Sequence, residues 1–314
     1  MSTQGLQATS EQATLACEIA LLLLLSLIWG SSFTLIKVAI PSVPPFTMVA
    51  VRVTLAAGLL LLIATAQGHT LPRQASVWAA FLVQGVLQSA LPFTLISWGE
   101  AHITSGLAGV LNATPPMFVL AIGLMTGRGR QAISGRKIAG VALGLAGVAM
   151  TVGFDALSGI GTAVPLAQAA VLGASLCYAL APIWGQRFKN LPAIVTAAGA
   201  MSCAAILMLP ASAMLERPWA LPPPPAQAIG AVIALAVVCT ALAMVIYFRL
   251  IRTLGPLGTT SGSYLRAGFA VMLGIIMLGE SFSWSILVGM ALILAGVIAV
   301  TLPTPARHDR KPRG

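Results

Sequence analysis

Hydrophobic runs of about 20 residues recur along the whole chain, separated by short stretches rich in proline, glycine and charge. A run of this length lets an α-helix cross the hydrocarbon core of a bilayer. The runs are continuous and not alternating, which excludes a transmembrane β-barrel. The pattern predicts an all-α integral membrane protein with ten transmembrane helices, at residues 16–36, 45–66, 76–97, 104–125, 137–154, 165–185, 193–213, 227–248, 258–278 and 283–302.

The hydrophobic pattern also repeats itself once. "SLIWGSSF" from Ser26 aligns with "SLCYALAP" from Ser175, an offset of 149, and "GVALGLAGVAMT" (140–151) matches "GMALILAGVIAVT" (289–301) at the same offset. "TSG" at 104–106 recurs at 260–262. Two halves with five spans each insert in opposite directions, which predicts an inverted repeat with a substrate site between the halves near mid-membrane. The alternative is that Gly/Ala/Leu-rich helices resemble one another by composition alone.

The predicted domains are a first repeat at 16–154, a second at 165–302 and a basic tail at 303–314. With the N-terminus in the cytoplasm, 13 of the 17 Lys and Arg residues fall in cytoplasmic loops and the tail and only 2 on the outer side. The basic excess of cytoplasmic loops predicts that both termini are cytoplasmic. The start "MSTQGLQATSEQAT" has no basic n-region, so we expect the first helix to be retained.

Composition supports the membrane assignment. The chain is 58% hydrophobic and 8% charged, whereas soluble domains carry about 25% charged residues. The net charge of +10 sits in short loops and the tail, so no separate surface for nucleic acid is predicted. The cysteines lie in apolar runs without CxxC spacing and the histidines lie in loops or the tail, so we expect no disulfide, metal or cofactor.

Several motifs resemble one known family. "IWGSSFTLIK" (28–37) is similar to the WG-x-x-F-x-x-x-K start of EamA-type proteins in the drug/metabolite transporter superfamily, and Arg52 in "MVAVRVTLAAGLLLL" to the arginine of their second helix. "SGLAGVLNATPPMFVLAI" resembles their fourth helix, and "YLRAGFAVMLGIIMLGESFSWSILVGMALILAGV" the ninth and tenth. The resemblance implies ten helices in two EamA repeats that move small metabolites across a bacterial inner membrane, commonly outward.

Two positions depart from the family pattern. The proline usual after "YL-x" is absent from "YLRAGF", which has Arg266 and Ala267, and the fourth helix ends in "TGRGRQ" without a glutamate. A family substrate is therefore not carried over, since fold does not decide the substrate.

Arg266 and Arg52 are the first candidates for the substrate site. Each lies about eight residues into its predicted span, roughly 12 Å deep, where an arginine costs roughly 2.5–3.5 kcal/mol. A guanidinium facing a watery cavity can bind a carboxylate through two parallel hydrogen bonds. The alternative is an ion pair with a protein carboxylate or contacts with helix-end carbonyls.

For Arg52 we favour an ion pair with Glu100 or Glu280, and for Arg266 we favour substrate binding, with Glu18 as the competing partner. A Glu18–Arg266 pair would instead form a gate or a proton site. Apart from the arginines, the predicted cavity residues are Trp29, Tyr178, Tyr264, Trp98 and Asn112, and the predicted gating or ion-pair residues are Glu18, Glu100, Glu280 and Lys37.

Two of these cavity candidates have a specific reason behind them. Trp29 and Tyr178 occupy equivalent repeat positions and are expected to flank the substrate, although packing or interfacial anchoring explains them equally well. Asn112 precedes Pro115 and Pro116, which interrupt the helical hydrogen bonds and either expose carbonyls to a ligand or only kink the helix.

The leading hypothesis is a carrier that exports amino-acid-like or other carboxylate-bearing metabolites by alternating access. The alternatives are a broad exporter of uncharged or cationic toxic compounds, a membrane-embedded enzyme, for which no catalytic constellation is visible, and a membrane scaffold or sensor. Only Glu18 is expected to lie within the membrane, so a facilitator is as credible as a proton antiporter. The predicted partners are a small-molecule substrate and the lipid bilayer, with a monomer or homodimer as the assembly.

Overall fold

The computed structural model describes residues 3–125, 135–152, 163–280 and 284–301, and the regular structure in these ranges is helical. The α-helices are α1 Thr3–Ala39, α2 Pro45–Ala66, α3 Ala75–Gly85, α4 Leu91–Glu100, α5 Ser105–Leu111, α6 Pro115–Met125, α7 Gly135–Val152, α8 Ala163–Gly185, α9 Ala193–Leu215, α10 Ala226–Ala236, α11 Ala243–Thr253, α12 Gly255–Leu278 and α13 Trp284–Thr301. A π-helical segment joins α3 to α4 (Val86–Ala90), and another joins α10 to α11 (Val237–Leu242).

Within the described ranges, seven helical stretches are long and apolar enough to cross a membrane, and two shorter apolar stretches follow near the C-terminal end. The seven are Ala16–Ala39, Pro45–Ala66, Ala75–Glu100, Ser105–Gly123, Val164–Phe188, Ala193–Leu215 and Ala226–Thr253. Large apolar side chains such as Leu62, Ile206 and Ile276 are about two-thirds exposed, as expected for a bundle surrounded by lipid tails. The prediction of an all-helical membrane protein is confirmed, whereas the count of ten spans stays a prediction.

Proline and acidic residues set several helix starts. Pro45 stands in the first turn of α2, where a missing N–H costs nothing, and Pro192 and Pro225 directly precede α9 and α10. The carboxylate of Glu216 accepts hydrogen bonds from the Phe46 and Thr47 N–H groups, at 2.9 and 2.6 Å. The start of α2 is thus tied to the end of α9.

The two halves of the chain pack against each other through corresponding helices. The main pairs are α2 with α9 and α7 with α13, and α1 packs on α12 while α8 packs on α4. A Cβ on Gly147 would lie 2.6 Å from the Gly289 O atom, and a Cβ on Gly296 would lie 2.4 Å from the Gly140 O atom. Since each partner lies 149 residues from its counterpart, the α7–α13 contact is reciprocal, as a two-fold relation between the halves requires.

Each half also contains one π-helical segment, and Val237 lies 151 residues after Val86, two more than the offset of 149. Thr240 in the second segment accepts a hydrogen bond from Arg52 Nε at 2.6 Å, and Ser89 in the first lies 3.7 Å from the Met201 Sδ atom. Thr240 and Ser89 are each the fourth residue of their segment, and Met201 lies 149 residues after Arg52. In the first half, Arg52 of α2 thus contacts a hydroxyl in the second half's π segment. In the second half, Met201 of α9 contacts a hydroxyl in the first half's π segment.

Candidate functional site

Arg266 lies in the middle of the described bundle, on α12, between two cavities. The first cavity is lined by residues that include Ser26, Gln88, Tyr247 and Ser263. The second is lined by residues that include Arg52, Phe93 and Asn112. Both cavities share three lining residues, which are Trp29, Tyr178 and Arg266.

The guanidinium of Arg266 is held by a backbone carbonyl and two aromatic rings. Its Nη2 donates to the Asn112 O atom at 2.6 Å, and its Cζ lies 5.8 Å from the Trp29 ring centre and 5.5 Å from that of Tyr178. The buried Nε has no protein hydrogen-bond partner. No carboxylate in the described ranges forms an ion pair with Arg266.

The helix break before Pro115 supplies the carbonyl that Arg266 uses. The chain between α5 and α6 leaves helical geometry at Asn112–Thr114. The Leu111 O atom accepts from Thr114 Oγ1 at 2.9 Å and from Ser175 Oγ at 3.2 Å, while the Asn112 O atom is left for Arg266. The two side-chain polar atoms of Asn112 are buried without a protein partner, beside the second cavity. The break therefore does more than kink the helix.

Trp29 and Tyr178 flank Arg266 from α1 and α8. The Trp29 Nε1 atom donates to the Cys239 O atom at 3.2 Å, in the second π segment, and the indole lies 5.5 Å from the Tyr247 ring. π-Helical segments leave a backbone carbonyl without its usual helical donor, which makes it available to a side chain. The spacing of the repeat thus brings two aromatic rings to within 6 Å of one cation.

Arg52 does not form the ion pair expected with Glu100 or Glu280. Its Nε donates to Thr240 Oγ1 at 2.6 Å, its Nη2 lies 3.4 Å from the Cys239 O atom, and its Cζ lies 3.8 Å from the Phe93 ring centre. The π segment offers these acceptors at the depth of Arg52, so the side chain does not extend to the helix ends. The expected ion pair with Glu100 or Glu280 is therefore wrong. Arg52 does line the second cavity, where it was named as a candidate residue.

Glu18 does not pair with Arg266, which corrects the competing partner named above. Its carboxylate accepts from Arg249 Nη2 at 2.9 Å, from Arg249 Nε at 3.2 Å and from Thr253 Oγ1 at 3.0 Å. Glu18 lies eleven residues before Trp29 on α1, roughly 16 Å along the helix, which is too far for Arg266. The pair joins the start of the first span to the end of α11.

The other charged candidates meet at the turn between α4 and α5. Lys37 Nζ donates to the backbone O atoms of Glu100 and Ile103, at 2.7 and 2.8 Å. The left-handed conformation of Gly279 (φ 65°) ends α12 and turns the chain, so that the Glu280 carboxylate accepts from the Ser105 N–H at 2.8 Å and from the next N–H at 3.0 Å. Lys37 and Glu280 therefore hold this turn through its backbone.

One predicted cavity residue, Trp98, is not brought to Arg266. Trp98 lines neither cavity; its ring lies 4.8 Å from that of His102, near the end of α4, where the chain leaves the bundle. The side chain of Tyr264 lies outside the described part of the structure.

The sequence reasoning missed several lining residues of the first cavity, among them Ser26, Gln88, Tyr247 and Ser263. The Gln88 Oε1, Tyr247 Oη and Ser263 Oγ atoms are buried without a protein hydrogen-bond partner. The signal was present in "VLQSALP", because an amide inside an apolar span is costly unless a neighbour or a ligand satisfies it. With Arg266, these groups offer one fixed cation and several free hydrogen-bonding atoms, a set that suits the carboxylate of a small molecule.

Comparisons with known proteins find transporters among the relatives of this chain. The chain is 32% identical over 88% of its length to the "Uncharacterized inner membrane transporter YedA" of Escherichia coli, of which it covers 88%. It is 28% identical over 89% of its length to a "Probable terminal-alkyne amino-acid exporter" of Streptantibioticus cattleyicolor, of which it covers 92%. A crystal structure with 19% sequence identity shares the fold at a TM-score of 0.64, covering 91% of this chain and 97% of that one.

The model of the EamA-like transporter family matches twice, at residues 17–153 and at residues 166–302. The two matches together span most of the chain, and they confirm the family that the motifs predicted. The chain therefore belongs to the EamA-like transporter family and is a multi-pass membrane transporter.

Proposed function

We propose that this transporter exports small carboxylate-bearing metabolites, amino-acid-like compounds above all, across a bacterial inner membrane by alternating access. In this proposal ten spans form two inverted repeats, at 16–154 and 165–302, and both termini lie in the cytoplasm. The substrate binds beside Arg266, between Trp29 and Tyr178, and passes from the first cavity to the second.

The observation that carries the proposal is the state of the Arg266 guanidinium. It is 7% exposed, no described carboxylate pairs with it, and its Nε has no protein partner. A permanent cation in such a place is stabilised by an anionic group, and a carboxylate matches the planar fork of the guanidinium. Because the cavities on both sides share Arg266, a bound carboxylate has access to either one.

The remaining lining supports the same substrate class. Among the described residues, neither cavity is lined by Asp or Glu, which disfavours the alternative of exporting lipophilic cations. The Gln88 Oε1 atom is an acceptor for an ammonium or amide N–H, and Trp29 and Tyr178 provide apolar ring faces for a side chain. One relative bears the name of a probable amino-acid exporter, which agrees with this substrate class.

The test compares ligand binding by purified wild type, Arg266→Gln and the matched control Arg252→Gln, whose arginine is exposed at the end of α11. Neutral amino acids, monocarboxylates, dicarboxylates and lipophilic cations are screened by thermal shift. A ligand at 100 times its Kd stabilises a protein by about 2.7 kcal/mol, which is easily measured. Hits are then followed as radiolabelled counterflow in proteoliposomes.

We expect carboxylates to stabilise the wild type and the Arg252→Gln control but not Arg266→Gln, and Arg266→Lys to recover part of the response. Equal responses from wild type and Arg266→Gln would make Arg266 structural. Stabilisation by cations alone would favour the alternative of a broad exporter of toxic compounds.

A further inference from the structure

Glu100 is the last residue of α4, and its carboxylate is buried without a partner. The residue is 0% exposed, and neither Oε1 nor Oε2 has a protein hydrogen-bond partner. The other described buried acid, Glu18, accepts three hydrogen bonds, and the partly buried Glu216 and Glu280 each cap a helix. Glu100 is thus the exception among the described carboxylates.

Nearby charged groups do not compensate for its burial. Lys37 of α1, Arg52 of α2 and Glu280 after α12 are the charged side chains whose fields reach the carboxylate. Lys37 is bound to two backbone carbonyls and Arg52 to the π segment, and neither forms an ion pair with Glu100 within 4 Å. Helix α8, which packs against α4 at Gly99, contains no charged residue or histidine, and the ring of the nearby His102 is exposed.

An ionised carboxylate that has left water without gaining hydrogen bonds is strongly disfavoured, and the group takes up a proton instead. The field of Glu280 acts in the same direction, and the fields of Lys37 and Arg52 act against it, but neither cation donates a hydrogen bond to the carboxylate, and burial outweighs their attraction. Geometry and charge around Glu100 therefore favour its neutral form in this conformation.

We propose that Glu100 is a proton-binding site, protonated in the described conformation, and that its release and uptake of a proton couple transport to a proton gradient. The coupling rests on the proposed function, because it needs a transported solute. The protonation of Glu100 does not depend on the proposed function. The Glu100–Ser105 turn is clamped by Lys37 and Glu280, so an opening of that end of the bundle gives water access to the carboxylate. Loss of the proton leaves a carboxylate that attracts Lys37 away from the Glu100 and Ile103 carbonyls.

The first experiment is infrared difference spectroscopy on the purified full chain between acidic and alkaline buffer. We expect the carbonyl stretching band of a protonated carboxylic acid at neutral pH in the wild type, absent from Glu100→Gln and retained in the control Glu216→Gln, whose carboxylate is bonded to two N–H groups. A wild type without this band, or a band that survives in Glu100→Gln, overturns the proton site.

Stability gives a second, independent readout. Glutamine is a neutral isostere of the protonated acid, so Glu100→Gln is expected to melt at neutral pH at the wild-type temperature or above it. A large drop in melting temperature, reversed in Glu100→Asp, would show that the native protein needs the charge and would contradict the proposal.

Coupling is measured in proteoliposomes with the carboxylate identified in the ligand screen. A pH gradient is expected to drive accumulation by the wild type, and this accumulation is expected to be lost in Glu100→Gln; a sodium gradient at constant pH serves as the control. Arg266-dependent transport that ignores the pH gradient leaves the proposed function standing and overturns the coupling. Conversely, an infrared band without any carboxylate transport overturns the proposed function and leaves the proton site.

Discussion

Arg52 and Met201 occupy the same position in the two halves, and their environments explain how a buried cation is tolerated. Each contacts a hydroxyl in the π segment of the other half, Thr240 for Arg52 and Ser89 for Met201. Both acceptors of Arg52 also have other partners, because the Cys239 O atom accepts from Trp29 Nε1 and Thr240 Oγ1 donates to the Leu235 O atom. Removing the guanidinium therefore leaves no acceptor without a partner.

We expect Arg52→Met to fold with a free energy of unfolding within about 1–2 kcal/mol of the wild type, since a buried ionic group replaced by an apolar one of similar volume is often nearly neutral. The measurement is thermal unfolding in detergent. A loss of about 3–5 kcal/mol would instead indicate that Arg52 neutralises a buried carboxylate such as Glu100. Arg52→Ala serves as the comparison, because it leaves a cavity against Phe93 and costs more.

Sequence reasoning placed some residues correctly and others not, for a geometric reason. The offset of 149 predicted that Trp29 and Tyr178 lie close together, and both rings lie within 6 Å of the Arg266 Cζ atom, which the apolar span around it led us to expect to be buried. Partners were harder to predict, because spacing along a helix gives depth but not the direction in which a side chain points. Glu18 pairs with Arg249, at its own depth, and Glu100 faces the bundle interior without a hydrogen bond.

At the scale of elements, the π segments decide what the interior of each half offers. Thr240 Oγ1 donates to the Leu235 O atom, five residues earlier, and accepts from Arg52 Nε. The one hydroxyl of Thr240 thus provides a hydrogen-bond donor for a carbonyl of the widened turn and an acceptor for the arginine. Hydropathy does not reveal such segments, since "VVCTAL" is as apolar as its surroundings.

Thr240→Val keeps the shape of the side chain but leaves the Arg52 Nε without an acceptor. We expect it to destabilise the protein by about 1–3 kcal/mol, measured by thermal unfolding, whereas Thr240→Ser, the residue type of Ser89 in the first π segment, is expected to restore stability. In the Arg52→Met background the same Thr240→Val change should cost much less. Equal costs in the two backgrounds would show that the 2.6 Å contact contributes nothing.

The glycine contact between α7 and α13 belongs to the same scale. Gly147→Ala and Gly296→Ala each place a methyl group against backbone of the opposite helix, at 2.6 and 2.4 Å, so the helices must separate. We expect each change to destabilise the protein by about 1–3 kcal/mol in detergent unfolding experiments. The control is Gly58→Ala on α2, which meets nothing within 4 Å and is expected to be neutral or slightly stabilising. Similar results at all three positions would exclude a close crossing of the two helices.

At the scale of the whole molecule, hydropathy was sufficient to predict a helical membrane protein, because length and apolar composition determine insertion. Seven of the predicted spans correspond to long apolar helices in the described structure. The predicted fifth, ninth and tenth spans are represented by α7, α12 and α13. Their breaks and pairings depend on side-chain packing, which periodicity does not encode.

The distribution of basic residues determines the expected orientation. Reporter fusions at the C-terminus should be fluorescent or active only in the cytoplasm, because the ten predicted spans place 13 basic residues on that side and 2 on the other. Truncation after Leu302 removes Arg307, Arg310, Lys311 and Arg313 and leaves 13 − 4 = 9 against 2, so a fusion at that point should report the same side. A periplasmic signal from either fusion would contradict the orientation.

The reciprocal glycine contact has a consequence for how such a molecule moves. If the two halves exchange conformations, Gly140 and Gly147 take the positions that Gly289 and Gly296 had before. The contact between α7 and α13 is then the same before and after the exchange. In an alternating-access cycle this helix crossing is therefore expected to have the same structure in both end states. A substitution at this crossing is expected to destabilise both end states equally, so that their relative populations stay the same. At the position that Arg52 and Met201 share, the two halves have different residues, so the two end states are expected to differ there.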